Sequence, residues 1–249
     1  MSEFKYAGSE LKMFALAHHW KAYWSKQIWP YLAGDILEVG AGIGSNMRLL
    51  DHGVFGRWVC LEPDRELIAQ LVNNLAVAEP RHIYEAVCGT LESLDSQQFD
   101  TIIYIEVLEH IEHDGEELRR AASHLRHGGH LIVVSPAHQF LFSPFDAAID
   151  HIRRYNRQML ENISPSSLRL DRIRYLDCTG MLLSAANALF LRQSIPTKGQ
   201  LQFWDRWCIP ISRILDRLLL YSIGKTIVAV WTKPEDINAS NGKSPLDCV

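Results

Sequence analysis

From Gly34 to Pro136 short apolar runs alternate with amphipathic helical stretches, and this alternation constrains the chain more tightly than any single motif. DILEV, RWVCLE, HIYEAV, FDTIIYIE and GGHLIVVSP are rich in β-branched and aromatic residues and read as strands. GSNMRLLDH, DRELIAQLVNNLA and HDGEELRRAASHLR carry apolar residues at helical spacing and read as helices. Strands joined through helices pair in parallel, and the helices then cover both faces of the sheet. After Pro136 come two more β-rich runs, RLDRIRYLDC and KTIVAVWTK, with apolar helices between them at about Gly180 to Arg192 and Leu201 to Leu220. No helix follows KTIVAVWTK, as expected of an edge strand entering antiparallel. The predicted fold is α/β: a doubly wound, mostly parallel seven-stranded sheet with an antiparallel edge strand and helical N-terminal and C-terminal additions.

With 249 residues, 47% of them hydrophobic, the chain can bury one full core. A single domain over residues 1–233 is expected, with a helical cap at 10–30, loop and helical insertions at 136–222, and a polar, disordered tail at 234–249. The net charge of −4 argues against a nucleic-acid partner, which calls for a basic excess. Five scattered cysteines, none spaced CxxC, fit neither a disulfide framework nor a structural zinc site, so a reducing cytoplasm is the expected compartment. MLLSAANALFL, from Met181, falls short of the ~20 apolar residues that span a bilayer, so membrane contact, if any, is peripheral.

The most specific chemical signal is GDILEVGAGIGSN, in which Gly40, Gly42 and Gly44 follow a strand and open a helix. Glycines there let the backbone approach a ligand and leave helix N-terminal amides facing it. Strand-to-helix turns also use glycine for structure alone, so two nearby carboxylates carry the weight. Glu62 ends the second strand, where an acidic side chain can accept both hydroxyls of a ribose across the switch-point crevice. Glu38, two residues before the turn, favours a cationic or amino-bearing ligand. A cofactor with a ribose and an ammonium but no pyrophosphate suits this pair. The GxGxG spacing departs from the GxGxxG dinucleotide pattern, whose third glycine would fall at Ser45, and this disfavours an NAD-dependent oxidoreductase.

ILEVGAGIGSN, CLEPD, FDTIIYIEVLEHIEHD, HLRHGGHLIVVSPAH and DHIRRYN, in that order, resemble a class I S-adenosylmethionine-dependent methyltransferase of the small bacterial methyltransf-11/12 type, from about Ala15 to Lys233. The resemblance implies a Rossmann-like methyltransferase fold, S-adenosyl-L-methionine as donor and S-adenosyl-L-homocysteine as product. It implies that Gly40, Ala41, Gly42 and Gly44 hold the methionine portion, that Glu38 orders the loop and the ammonium, and that Glu62 binds the ribose with Pro63 and Asp64 beside it. The family's usual adenine-binding aspartate is missing; Thr90, Leu91 and Glu92 stand in that stretch, with Thr90 or a main-chain carbonyl expected at adenine. Glu106 replaces a short polar residue at the end of the fourth strand, and Val107, Leu108 and His110 continue the floor.

The loop SPFDAAIDHIRRYN, Ser143 to Asn156, concentrates the remaining chemistry. His151 is the expected base for an acceptor hydroxyl, with Asp150 or Asp146 fixing its tautomer; the alternative is a purely structural histidine. Arg153 or Arg154 is a candidate carboxylate or phosphate clamp, and Tyr155 packs over the pocket or donates a hydrogen bond. His110 and His113, three apart with Glu106 and Glu109 nearby, raise a metal reading, but HExxH is absent and the charges of EVLEHIEHDGEE read as a solvated helix start capped by Asp114, so no metal is expected. LQFWDRWCIPISRILDRLLL, from Leu201, forms a lid with Trp20, Tyr23, Trp24 and Trp29, rests on a membrane, or makes a dimer interface or plain packing. The leading expectation is O-methylation of a small or lipid-linked hydroxyl; N- or C-methylation and a non-catalytic S-adenosylmethionine-binding module are the alternatives.

Overall fold

A computed structural model describes residues 17–51, 55–77, 83–187 and 197–236, which build one seven-stranded sheet with helices on both faces. Helix α1 (His18–Ile28) precedes β1 (Gly34–Val39), and the one-turn helix α2 (Met47–Leu50) leads to β2 (Phe55–Glu62). Then come α3 (Arg65–Val77), β3 (Ile83–Cys88), β4 (Phe99–Ile105), α4 (Asp114–Ser123) and β5 (Leu125–Pro136). The second half runs through α5 (Pro144–Ala148), α6 (Arg157–Asn162), β6 (Arg169–Leu176), α7 (Cys178–Ala186) and α8 (Lys198–Phe203). A π-helical turn at Trp204–Cys208 joins α8 to α9 (Ile209–Leu218), and β7 (Thr226–Thr232) closes the sheet.

The strand order is β3-β2-β1-β4-β5-β7-β6, parallel except for β7, which runs against both its neighbours. The antiparallel edge is therefore a pair: β7, expected at the rim, lies one strand in, and β6 is outermost. Composition explains the exchange. TIVAVW is apolar on both faces and buried along its length, whereas RLDRIRYL alternates and exposes arginine and aspartate at the rim, which discourages edge-to-edge association. The order reverses between β1 and β4, so the loops after these two strands flank a crevice at their carboxyl ends.

Alternate strand residues feed two separate cores. Leu37, Val59, Ile102, Tyr104, Val133 and Ala229 face one side, packed with Leu118 of α4 and Leu160 of α6. Ile36, Trp58, Ile103, Ile132 and Val228 face the other, packed with Trp20, Tyr23, Trp24 and Ile28 of α1 and with Trp204 and Ile209. The α1 aromatics are thus core residues first. Their helix lacks a local cap; the buried Asp205 supplies one from far along the chain, accepting Trp20 N at 2.8 Å and His19 N at 3.2 Å. Asp216, fully buried, ties the same helix to α7 by accepting Tyr23 Oη at 2.8 Å, Asp177 N at 2.6 Å and Cys178 N at 3.0 Å.

The helix expected from Leu201 to Leu220 exists as α8, the π turn and α9, and Pro210, which has no N–H to donate to the preceding turn, sits where the π turn gives way to α9. Of the helix expected from Gly180 to Arg192, residues 188–192 lie outside the described residues, as do most of the tail from 234 and the first part of the cap from 10. Cys60, Cys88, Cys178 and Cys208 are free thiols. No helix among the described residues is long and apolar enough to cross a membrane.

Candidate active site

The chain leaves β1 at Gly40, whose φ of +67° is a left-handed conformation, and a Cβ there would lie 2.5 Å from Val107 Cγ2. Only glycine lets the loop after β1 pack directly on the loop after β4. Gly40 N and Ala41 N donate to Leu61 O, at 2.8 and 3.1 Å, and Gly42 N donates to Glu62 Oε2 at 2.8 Å. Glu62 Oε1 accepts Asp64 N at 3.0 Å, so this buried carboxylate holds the glycine turn and the start of α3 in one register. Burial raises its pKa above the usual carboxylate value. Gly44 turns away from the ligand side; a Cβ there would meet Leu71.

Glu38 lies beneath this turn, 1% exposed, accepting Asn46 Nδ2 at 3.1 Å and Trp58 Nε1 at 3.2 Å. It therefore orders the loop and does not line the cavity itself. Burial pushes its pKa up to about 7, against hydrogen bonds from Asn46 and Trp58 and the charge of Lys21 on α1, while Glu62 on β2 opposes ionisation. The folded state thus keeps a proton that the unfolded chain has released, and stability falls as pH rises from about 4.5 to about 7, by about 3 kcal/mol in all. Denaturant titrations across that range are expected to show this slope in the parent protein and lose it in Glu38→Gln; parallel curves would overturn the assignment.

The crevice opens into a cavity of about 950 Å³. Gly40, Ala41, Gly42, Glu62, Pro63, Thr90 and Leu91 line one end, with Trp20, Lys21 and Trp24 of α1 as a wall. Lys21 Nζ reaches Ser45 Oγ at 3.1 Å, closing α1 onto the turn. These groups fit S-adenosylmethionine: a glycine-walled slot for the methionine portion, a buried carboxylate for the ribose and the Gly89–Leu91 stretch for the base. Glu92, next in the same stretch, is exposed and pairs with Arg120 at 3.2 Å, so it does not line the cavity.

Glu106, Val107, His110, His151 and Arg154 line the other end. Glu106 is held at a φ of +56°, a strained conformation for a non-glycine residue, with its N–H on Val134 O at 2.8 Å and its side chain opening into the cavity. Glu109, expected in a solvated helix start, is fully buried behind it. Removal from bulk water raises the pKa of both carboxylates, and Glu106 raises that of Glu109 further. His110 donates from Nδ1 to Asp150 O, 3.2 Å away, and burial lowers its pKa to about 4.

His151 reaches the cavity as expected, but its partner is Asp146, whose Oδ1 lies 2.9 Å from Nδ1. Asp150 is corrected: it turns through a φ of +60° with its side chain exposed, and only its carbonyl enters the site. Asp146 also accepts Arg154 Nε at 2.9 Å, Arg154 Nη2 at 3.0 Å, and Ser143 N and Oγ at 2.8 Å each. Burial opposes its ionisation, yet His151, Arg154 and Ser143 hold its pKa well below the usual range. The aspartate is ionised, so His151 Nδ1 donates to it, and in the neutral tautomer that this selects the lone pair is on Nε2. Arg153 and Tyr155 are corrected as well. The Arg153 guanidinium pairs with Asp114, and the fully buried Tyr155 hydroxyl donates to Asp114 Oδ2 at 2.8 Å or Leu108 O at 3.1 Å. Asp114 thus bonds the loop to the core instead of capping α4, whose N-cap is His113. Lys225 enters the cavity without any local signal in the chain; it stands 3.5 Å from Asp177 Oδ2 and 3.8 Å above the Trp204 ring.

A family model described as a methyltransferase domain matches residues 16–179. A stretch of 101 residues is 35% identical to a ubiquinone biosynthesis O-methyltransferase of Bradyrhizobium sp. strain ORS 278, covering 36% of this chain and 40% of that protein. An S-adenosylmethionine-dependent methyltransferase from Clostridium acetobutylicum superposes with a TM-score of 0.56 at 9% identity, over 90% of this chain and 95% of that one. The cyclopropane synthase MmaA2 from Mycobacterium tuberculosis gives 0.56 at 17% identity, over 85% and 82%. At such identities these two structures speak for the fold alone. Because the family match spans well over half of the chain and includes the glycine turn and the DHIRRYN loop, the protein belongs to the methyltransferase-domain family, whose methyl donor is S-adenosylmethionine.

Proposed function

We propose that the enzyme methylates a hydroxyl oxygen of a lipid-linked acceptor that enters the cavity from a membrane surface. The observation that carries this reading is an exposed apolar face at the cavity mouth. Phe203 and Leu183 line the cavity and are also 56% and 43% exposed. From Phe203 the face continues through Trp207, Ile211, Ile214 and Leu218, while the opposite side of α9, with Ile209, Ser212 and Asp216, packs inward. Every exposed charge between 203 and 220 is an arginine, at 206, 213 and 217, because Asp205 and Asp216 are buried. An apolar helical face flanked by arginines suits the headgroup region of an anionic bilayer. A two-fold dimer through this face would gather like charges from both copies.

Bound S-adenosylmethionine supplies an electrophilic methyl group on a sulfonium. The chain's own part is to hold the acceptor oxygen in line, ~3–3.5 Å from that carbon, and to exclude water. Oxygen is favoured over carbon because the acceptor end offers His151 Nε2, with its tautomer set by Asp146, to take a hydroxyl proton. The match to a ubiquinone O-methyltransferase points the same way.

The test compares labelled-methyl transfer to prenyl-chain phenols or alcohols with transfer to truncated, water-soluble analogues, in the presence of anionic vesicles. The long acceptor is expected to give at least tenfold higher kcat/KM, and Ile214→Glu with Leu218→Glu to abolish that advantage while sparing the truncated acceptor. Equal turnover of both, or label on nitrogen or carbon, would sink the proposal.

A further inference from the structure

We infer that the acceptor end of the cavity is a binding site for a divalent transition-metal cation of the zinc type, held by Glu109, His110 and His151. One ligand atom from each of these residues lies within 4.8 Å of the others, although the residues come from two segments some forty positions apart. The loop is drawn in by the backbone: Ile152 N donates to Glu109 O at 2.9 Å, and Tyr155 N to Pro136 O at 2.9 Å.

Two features distinguish this cluster from a chance meeting of polar side chains. The first is a buried acceptor without an N–H or hydroxyl donor. Glu109 is fully buried; its Oε2 accepts Ser135 Oγ at 2.9 Å, whereas Oε1 meets no such donor and lies 3.7 Å from His151 Nε2, wider than a hydrogen bond, with the Glu106 carboxyl as its acidic neighbour. A buried carboxylate oxygen and an imidazole nitrogen at this separation are two donors placed where one cation could be shared between them. The second is the outer support. His151 is anchored through Nδ1 to the Asp146 carboxylate, and His110 through Nδ1 to the Asp150 carbonyl. Metal-binding histidines are oriented in this way, through their other nitrogen, by a carboxylate or a carbonyl.

Two imidazoles and one carboxylate form the donor set of catalytic zinc sites, which keep a further position open. Here that position faces the cavity, where Glu106 also stands. The cation's charge would lower the pKa of an acceptor hydroxyl, and the proton would pass to Glu106 at the cavity instead of to His151 Nε2, whose lone pair the cation would hold. That chemical role rests on the proposed oxygen acceptor; the existence of the site does not.

The experiment strips the purified enzyme with a chelator and titrates it with Co²⁺ alone and Zn²⁺ alone, following Co²⁺ by its visible absorption and Zn²⁺ by calorimetry. One equivalent is expected per chain, with Zn²⁺ displacing Co²⁺. Glu109→Gln and His151→Ala should each weaken binding at least tenfold, and His113→Ala, at an exposed histidine outside the cluster, should leave it unchanged. S-adenosylmethionine affinity, read in parallel, certifies that each variant is folded. Absence of saturable binding by a protein that binds S-adenosylmethionine normally, or equal Co²⁺ affinity in parent and variants, would overturn the site. Either result would leave methyl transfer to a lipid-linked hydroxyl standing.

Discussion

Replacing Asp146 with alanine is expected to lower the stability of the fold by about 3–5 kcal/mol, a loss characteristic of a buried ion pair from which one partner is removed. Asp146 is fully buried and receives hydrogen bonds from Ser143, His151, and Nε and Nη2 of Arg154. Without it, Arg154 is left with its charge buried and uncompensated, and His151 loses the acceptor that sets its tautomer. For a chain of this size the melting temperature should fall by roughly 10 °C. Replacing both partners, as Asp146→Leu with Arg154→Leu, should recover part of the loss, because the uncompensated charge is gone. Thermal melts of the two variants are the measurement. A single variant within 1 kcal/mol of the parent would mean that water, not Asp146, screens Arg154.

The second large effect is on the cofactor. Glu62→Ala is expected to weaken S-adenosylmethionine binding roughly ten- to hundredfold, the equivalent of about 1.5–3 kcal/mol for hydrogen bonds to a charged acceptor. Two causes act together. The carboxylate lines the end of the cavity proposed for the ribose, and its two oxygens also hold Gly42 N and Asp64 N, so its loss loosens the turn proposed to carry the methionine portion. Calorimetry with S-adenosylmethionine reads the effect directly, and NAD should show no binding to the parent protein. Unchanged affinity in the variant would remove Glu62 from the cofactor site.

Much of this cofactor end was legible in the chain. Gly40, Gly42 and Glu62 sit at strand ends, and in a parallel sheet every strand end after a βα turn falls on the same edge. Local pattern is enough to place them. Glu38 was expected to order the turn, but its partners were not legible, because only the folded sheet sets Trp58 and Asn46 against it. The acceptor end was harder to read. DHIRRYN is a dense run of polar groups, and nothing in its spacing tells which side chains turn inward. The left-handed turn at Asp150 decides that, placing Asp150 outside and leaving Asp146 to meet His151. Arg153 and Tyr155 point the other way, into contacts with Asp114, so half of an apparently catalytic motif holds the loop in place.

The apolar alternation from Gly34 to Pro136 determined by itself the parallel, doubly wound sheet, because hydrophobic periodicity and the short reach of each connection leave few other ways to bury those runs. The sequence likewise determined the glycine turn and its acidic neighbour, both being local features of a strand and the turn after it. Tertiary structure alone decided that β7 lies inside β6, that Asp205 caps α1, that Lys225 enters the cavity and that Glu109 meets His151. Each of these joins residues far apart in the chain, and long-range contacts are set by how the whole sheet and its loops pack, which no local window of residues encodes.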